Sequence, residues 1–147
     1  MRRSFSKFYP NRAPSDLFAL ADDIESYPDF IPFCLEARVL SRDGALRRVR
    51  NVFGAGGLRL AFVSEARASA PRELSIESRD GIMRRLLLRW RFEPEGRGCR
   101  LTCDVTLDFA SKVLNLLAPV AAGDFERRVV AAFERRSEAL ARVREGT

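Results

Sequence analysis

SKVLNLLAPVAAGDFERRVVAAFERRSEALARVR, residues 111–144, has the pattern of one long amphipathic helix. At 100° per residue its apolar side chains share one stripe and most of its charges lie opposite. The stripe comprises Leu114, Ala121, Phe125, Val129, Ala132, Leu140 and Val143, with Phe133 at its edge. Pro119 is expected to break the helix, because it cannot donate to the Asn115 carbonyl. The small residues at 118–123 are therefore the expected place for a bend that admits a ligand.

The chain before residue 111 has the two-residue alternation of strands with one apolar face. Apolar residues alternate with charged ones around Trp90, and again from Cys99 to Phe109. Short turns such as Asp80-Gly81 join consecutive strands, as in an antiparallel sheet that is covered on one side. A strand at residues 3–9, a helix that begins near Pro14 and a short helix or turn at residues 29–33 come first. This order predicts an α+β fold, with about seven antiparallel strands, two short helices after strand 1 and a long C-terminal helix.

Composition limits the chemistry that the chain can perform. Its 147 residues fit a single domain spanning 1–147. The absence of histidine excludes histidine metal sites and the commonest general base. The cysteines Cys34, Cys99 and Cys103 form no CxxC pair and are expected to be buried free thiols. No catalytic residue and no metal site is predicted, and the expected location is cytoplasmic.

The segment ADDIESYPDFIPFC, residues 21–34, resembles the coenzyme Q-binding START-like family. That family shares a subfamily with the bacterial ribosome association toxins. Its motif is Tyr-Pro-x-Phe-Leu-Pro-Trp-Cys, and this chain departs from it at Ile31 and Phe33. The resemblance continues around Phe62, Trp90 and Phe133. It implies a helix-grip fold, in which a curved sheet holds the C-terminal helix and a cavity lies between them.

The predicted hydrophobic pocket uses side chains that alternation or helical spacing turns inward. Trp90 is suited to stack on a quinone ring while its N–H meets a carbonyl. An ordinary packed core is the alternative for every member of this set. The pocket residues are Phe62, Trp90, Phe92, Phe109, Leu117, Ala121, Phe125, Val129 and Phe133.

A stiff apolar segment is the candidate pocket entrance or lid. It comprises Tyr27, Pro28, Phe30, Ile31, Pro32 and Phe33. A hydrophobic plug over the end of the core is the alternative. Arg136 lies on the apolar stripe of the last helix, where it is either a polar anchor for a ligand carbonyl or part of a structural ion pair.

Arginines dominate the wet face of the last two predicted strands. Arg85, Arg89, Arg91 and Arg100 share this face, and Arg47, Arg48 and Arg50 are expected on another. The formal net charge is +6. Phosphate contact, to ribosomal RNA or to anionic lipid, is the functional interpretation, and a solvated surface is the alternative.

The resemblance implies that the chain binds and delivers a hydrophobic ligand, with ubiquinone or another isoprenoid quinone or lipid as first candidate. Such a protein would support respiratory electron transport at the inner membrane surface, with the bound lipid as ligand and no cofactor. The alternative is a factor that binds the large ribosomal subunit and hinders subunit joining. A polyketide cyclase or aromatase is the third hypothesis, which the missing histidine disfavours.

Overall fold

A computed structural model of the chain describes residues 1–145, and residues 146 and 147 of the predicted domain lie outside them. A single sheet has the strand order β1-β7-β6-β5-β4-β3-β2, and every pair of neighbouring strands is antiparallel. The predicted α+β helix-grip arrangement is confirmed. In chain order the elements are β1 (Arg2–Tyr9), α1 (Pro14–Asp22), a 3₁₀ helix (Ile24–Asp29), β2 (Cys34–Asp43), β3 (Leu46–Ala55), β4 (Leu58–Ser69), β5 (Glu73–Ser78), β6 (Met83–Glu95), β7 (Gly98–Phe109) and α2 (Lys112–Glu145).

Strand register turns the large apolar side chains toward α2. Trp90 lies opposite Leu74 on one side and Cys103 on the other, so all three share the inner face. Leu35 departs from the predicted alternation and is exposed, because a register irregularity between Cys34 and Glu36 turns it outward.

The short helices differ in position from the prediction. Pro14 occupies the first turn of α1, where its missing N–H is not needed. The 3₁₀ helix covers Ile24–Asp29 with Pro28 inside it, so it precedes the predicted position at residues 29–33. A separate short helix here is compatible with Pro28 because 3₁₀ turns tolerate poorer hydrogen bonding than longer helices.

A buried ion pair fastens α1 to the sheet. Arg47 of β3 is buried, and its guanidinium donates to both the carboxylate and the carbonyl of Asp22, the latter at 2.9 Å. The prediction that Arg47 lies on a wet face with Arg48 and Arg50 is therefore wrong. Its side chain turns inward because it faces Ala66, a member of the buried core, across β4.

α2 runs without interruption from Lys112 to Glu145, so the predicted break at Pro119 is wrong. Both Pro119 and Asn115 are exposed, and water can satisfy the carbonyl that the proline leaves without a donor. Beneath this part of the helix, Leu114 and Ala118 pack on buried side chains. The predicted gate at residues 118–123 is not present in this packing.

Two hydrophobic clusters fill the space between sheet and helix. The larger includes Trp90, Phe92, Val129 and Phe133 and lies under the C-terminal half of α2. The smaller is built on Phe62, Met83 and Phe109 and lies under its N-terminal half. None of the helices within residues 1–145 has the length and apolar character needed to cross a bilayer.

Candidate functional site

Four of the predicted pocket residues come together around the only tryptophan of the chain. The Trp90 ring stacks on Phe133 at 5.5 Å between centroids and on Phe92 at 6.4 Å, with interplanar angles of 20° and 12°. Phe5 meets the indole edge at 6.4 Å, and Val129 of α2 belongs to the same cluster. This aromatic stack offers flat apolar surfaces at a spacing typical of favourable ring contacts.

The indole N–H of Trp90 has no hydrogen-bond partner, although the residue is only 3% exposed. Leaving such a donor unpaired costs about 1–3 kcal/mol. Unpaired buried polar groups are uncommon in native proteins, and functional sites are one place where they occur. The missing partner must be an acceptor that reaches the apolar interior.

The remaining predicted pocket residues lie elsewhere. Phe62 and Phe109 belong to the smaller cluster, and Phe125 is half-buried and stacks on Phe33 at 6.4 Å. Leu117 and Ala121 are exposed, so the prediction that they face the interior is wrong. The apolar stripe of α2 is wider and longer than the surface that covers it, which also leaves Leu140 and Val143 exposed.

A buried polar pair joins the two clusters, and sequence reasoning missed half of it. Asn51 donates to Ser64 Oγ at 2.9 Å, to the Val49 carbonyl at 3.2 Å and to the Phe62 carbonyl at 3.3 Å. Ser64 was expected inward only as a small residue, whereas Asn51 stands in an irregular strand pattern. Its position opposite Phe62 on the inner face is a matter of register, and no sequence signal reveals it.

The predicted lid segment packs onto both the core and α2. The Tyr27 hydroxyl donates to the Ala21 carbonyl at 2.5 Å, and burial raises the pKa of that hydroxyl. The Phe30 ring makes edge contacts with Tyr27 at 5.6 Å and with Phe133 at 6.0 Å. Ile31 is buried, while Phe33 is exposed at a φ of 65°. Phe30 therefore separates solvent from the aromatic stack.

An open groove of about 470 Å³ runs between the lid segment and α2. Its apolar wall is formed by Pro28, Ile31, Pro32, Ala131 and Ala132, and Arg127, Arg128, Arg135 and Asp29 border it, with Phe30 also in contact. Arg136 lies with its guanidinium 4.7 Å from the Phe30 ring centroid. It forms no ion pair with any residue that the structure describes, so neither a ligand anchor nor a structural salt bridge explains its position.

The family model for polyketide cyclase / dehydrase and lipid transport matches residues 11–134. The chain belongs to this family. Among curated members, a ribosome association toxin of Pseudomonas aeruginosa is 29% identical over 115 residues, which cover 78% of both chains. The mitochondrial coenzyme Q-binding protein of Schizosaccharomyces pombe is 28% identical over 126 residues, covering 82% of this chain and 77% of that one.

Solved structures place the chain in the same fold as other members of the polyketide cyclase and lipid-transport family. An 18 kDa protein of Caulobacter crescentus is 27% identical, with a TM-score of 0.77 over 96% of this chain and 98% of that one. A Streptomyces aromatase/cyclase is 14% identical, with a TM-score of 0.71 and 94% coverage of both chains. The latter likeness concerns the fold alone.

The arginines on the outer sheet face of this family member are largely paired with their neighbours. Arg89 lies 3.0 Å from Glu73, Arg91 lies 2.7 Å from Asp104 and Arg100 lies 2.9 Å from Glu95. A hydrogen bond from Ser4, together with the charge of Arg91, lowers the pKa of Asp104. Arg85 is exposed and has no ion-pair partner among the described residues. Most of the predicted anionic-partner face is thus locally neutralised.

All three cysteines are buried free thiols. Burial raises the pKa of Cys34 and of Cys99 to about 11 and raises that of Cys103 as well. Near neutral pH these groups are protonated, and a protonated thiol is a poor nucleophile. Their environment is that of core side chains.

Proposed function

We propose that this protein binds and delivers an isoprenoid quinone, with ubiquinone as first candidate, and in this way supports respiratory electron transport. The buried indole N–H of Trp90, unpaired within a stack of aromatic rings, carries the proposal. A quinone ring is flat and apolar, and its carbonyl oxygens accept hydrogen bonds without donating any. The printed name of the Schizosaccharomyces pombe relative, a coenzyme Q-binding protein, supports the same ligand class.

The open groove provides the route by which such a ring reaches Trp90. Phe30 closes the inner end of this route through its contact with Phe133, and Phe133 in turn lies on Trp90. Displacement of the Phe30 ring lets the quinone ring take its place in the stack. The isoprenoid tail then follows the apolar wall of the groove. Each Å² of apolar surface covered contributes roughly 25 cal/mol, so binding requires no chemical step.

Replacing Trp90 with phenylalanine is expected to weaken short-chain ubiquinone binding about tenfold, because an aromatic surface remains but the N–H donor is lost. Isothermal titration calorimetry measures the dissociation constant in both proteins. In the unmodified protein, quenching of Trp90 emission reports the same event, since this is the only tryptophan. Phe8→Leu, at a half-exposed aromatic on β1, is the matched control. Equal affinities for the Trp90→Phe variant and the unmodified protein would show that the indole N–H is not the anchor.

The buried polar groups favour a carrier over a cyclase. Within the described residues they are Arg47, Asn51, Ser64, Ser78 and Ser137, and none of them is a carboxylate. A general acid or base of ordinary strength is therefore absent from the described interior. Asn51 and Ser64 can orient a ligand carbonyl or methoxy group by hydrogen bonding.

A ribosome-associating factor is the second candidate, and the Pseudomonas aeruginosa relative favours it through its name. This hypothesis predicts salt-sensitive co-sedimentation with large ribosomal subunits. Charge reversal at Arg85, which is free of ion pairs, should then weaken binding more than reversal at Arg91, whose charge Asp104 already offsets. A gradient profile without the protein in the subunit fractions at low salt would remove this candidate, and equal effects of the two reversals would remove this face.

A further inference from the structure

The N-terminal half of α2 presents a row of large apolar side chains to solvent. Val113, Leu116, Leu117 and Val120 are 63%, 76%, 55% and 81% exposed. Their spacing of i, i+3, i+4 and i+7 places them along one side of the helix, over about 10 Å at 1.5 Å per residue. We call these four residues the apolar stripe of α2. Stripes with this spacing normally cover a core, but here the opposite side, with Leu114 and Ala118, faces the core.

Other exposed apolar side chains lie at the same end of the molecule. Leu58 is half-exposed at the β3–β4 turn, and the smaller cluster below α2 contains its strand neighbour Leu60. The Gly54 amide beside this turn donates to the Phe33 carbonyl at 2.9 Å, which brings the exposed Phe33 ring to the same end. The stripe is thus the centre of a wider apolar surface.

Positive charges border this surface. Lys112 begins α2 and Arg59 follows Leu58, and neither forms an ion pair with a described residue. Arg128 lies 5.6 Å from the Phe33 ring centroid and 3.0 Å from Asp124. The nearby acids Asp108 and Asp124 both have arginine partners, at 3.9 Å and 3.0 Å. The border therefore carries a net positive charge.

We propose that the apolar stripe of α2 docks this protein onto an anionic lipid bilayer, with the four side chains inserted at the boundary between headgroups and acyl chains. Apolar side chains flanked by lysine and arginine are what interfacial helices present to such membranes. The stripe projects from a helix, whereas the two well-formed grooves of the described surface involve the later part of α2. A second copy of the chain would bring Lys112 and Arg59 against like charges.

This inference is independent of the quinone proposal, because vesicles without quinone test it. Unmodified protein is expected to co-sediment with vesicles of phosphatidylcholine and phosphatidylglycerol, and much less with phosphatidylcholine alone. Leu116→Ser combined with Val120→Ser should reduce the bound fraction at least about tenfold, because two exposed anchors are lost. Val143→Ser, at a residue 64% exposed near the other end of the same helix, should leave binding unchanged.

A fluorescent label gives a second measurement that does not depend on removing the anchors. An environment-sensitive dye on Val120→Cys should brighten and shift to the blue with the anionic vesicles, while the same dye on Val143→Cys should not. Unaltered binding of the double serine variant would overturn the proposal, as would no binding of the unmodified protein. Loss of a dimer in the double variant, measured by light scattering without vesicles, would assign the stripe to contact between copies instead. Quinone titration of the same variants reports separately on the ligand site.

Discussion

Replacing Asp22 with alanine is expected to lower the free energy of unfolding by about 3 kcal/mol or more. The substitution leaves the Arg47 guanidinium buried without its carboxylate partner. The carbonyl of residue 22 can still accept one hydrogen bond, but a backbone dipole does not balance a full charge. Urea unfolding followed by far-ultraviolet circular dichroism measures the difference. The effect should be large because the pair fastens α1 to β3 across the open end of the sheet.

Two further variants test whether burial is the reason. Glu73→Ala breaks the half-exposed pair with Arg89 and should cost less than about 1 kcal/mol. Asp22→Asn combined with Arg47→Met removes both charges and should recover most of the stability lost in the single variant. A cost for Asp22→Ala no greater than that for Glu73→Ala would contradict the assignment of a buried clamp.

Replacing Phe133 with alanine is expected to lower the free energy of unfolding by about 3–5 kcal/mol. This side chain is 1% exposed and contacts both Trp90 and Phe30, so its removal leaves a cavity at the centre of the larger cluster. The same urea experiment measures the loss. Emission from Trp90 should shift to the red, because water gains access to the indole through the cavity.

Phe33→Ala is the control for this prediction. The Phe33 ring is 43% exposed and stacks on Phe125 at the surface, so its removal should cost less than about 1 kcal/mol and leave the Trp90 emission in place. A comparable loss in both variants would mean that the aromatic stack around Trp90 contributes no more than a surface contact.

Much of the fold could be predicted because each local pattern agrees with the global arrangement. Alternation around Trp90 turned Leu74 and Cys103 to the same face, as the register confirms. Helical periodicity placed Val129 and Phe133 over that face. The candidate site was predictable to the extent that it consists of side chains from these regular elements. Prediction failed for Leu35, where a bulge breaks the alternation, and for Pro119, where solvent offsets the lost hydrogen bond.

The sequence by itself determined which side chains share a face of a strand or helix, because that relation depends only on the period of the local backbone. Tertiary structure alone decided which of those faces is covered. Arg47 is buried because Asp22 meets it across the fold, and Asn51 is inward because Phe62 lies opposite it. Leu117 shares the apolar character of Val129, yet the sheet covers only Val129. Coverage depends on where elements distant in sequence cross one another, and no local period carries that information.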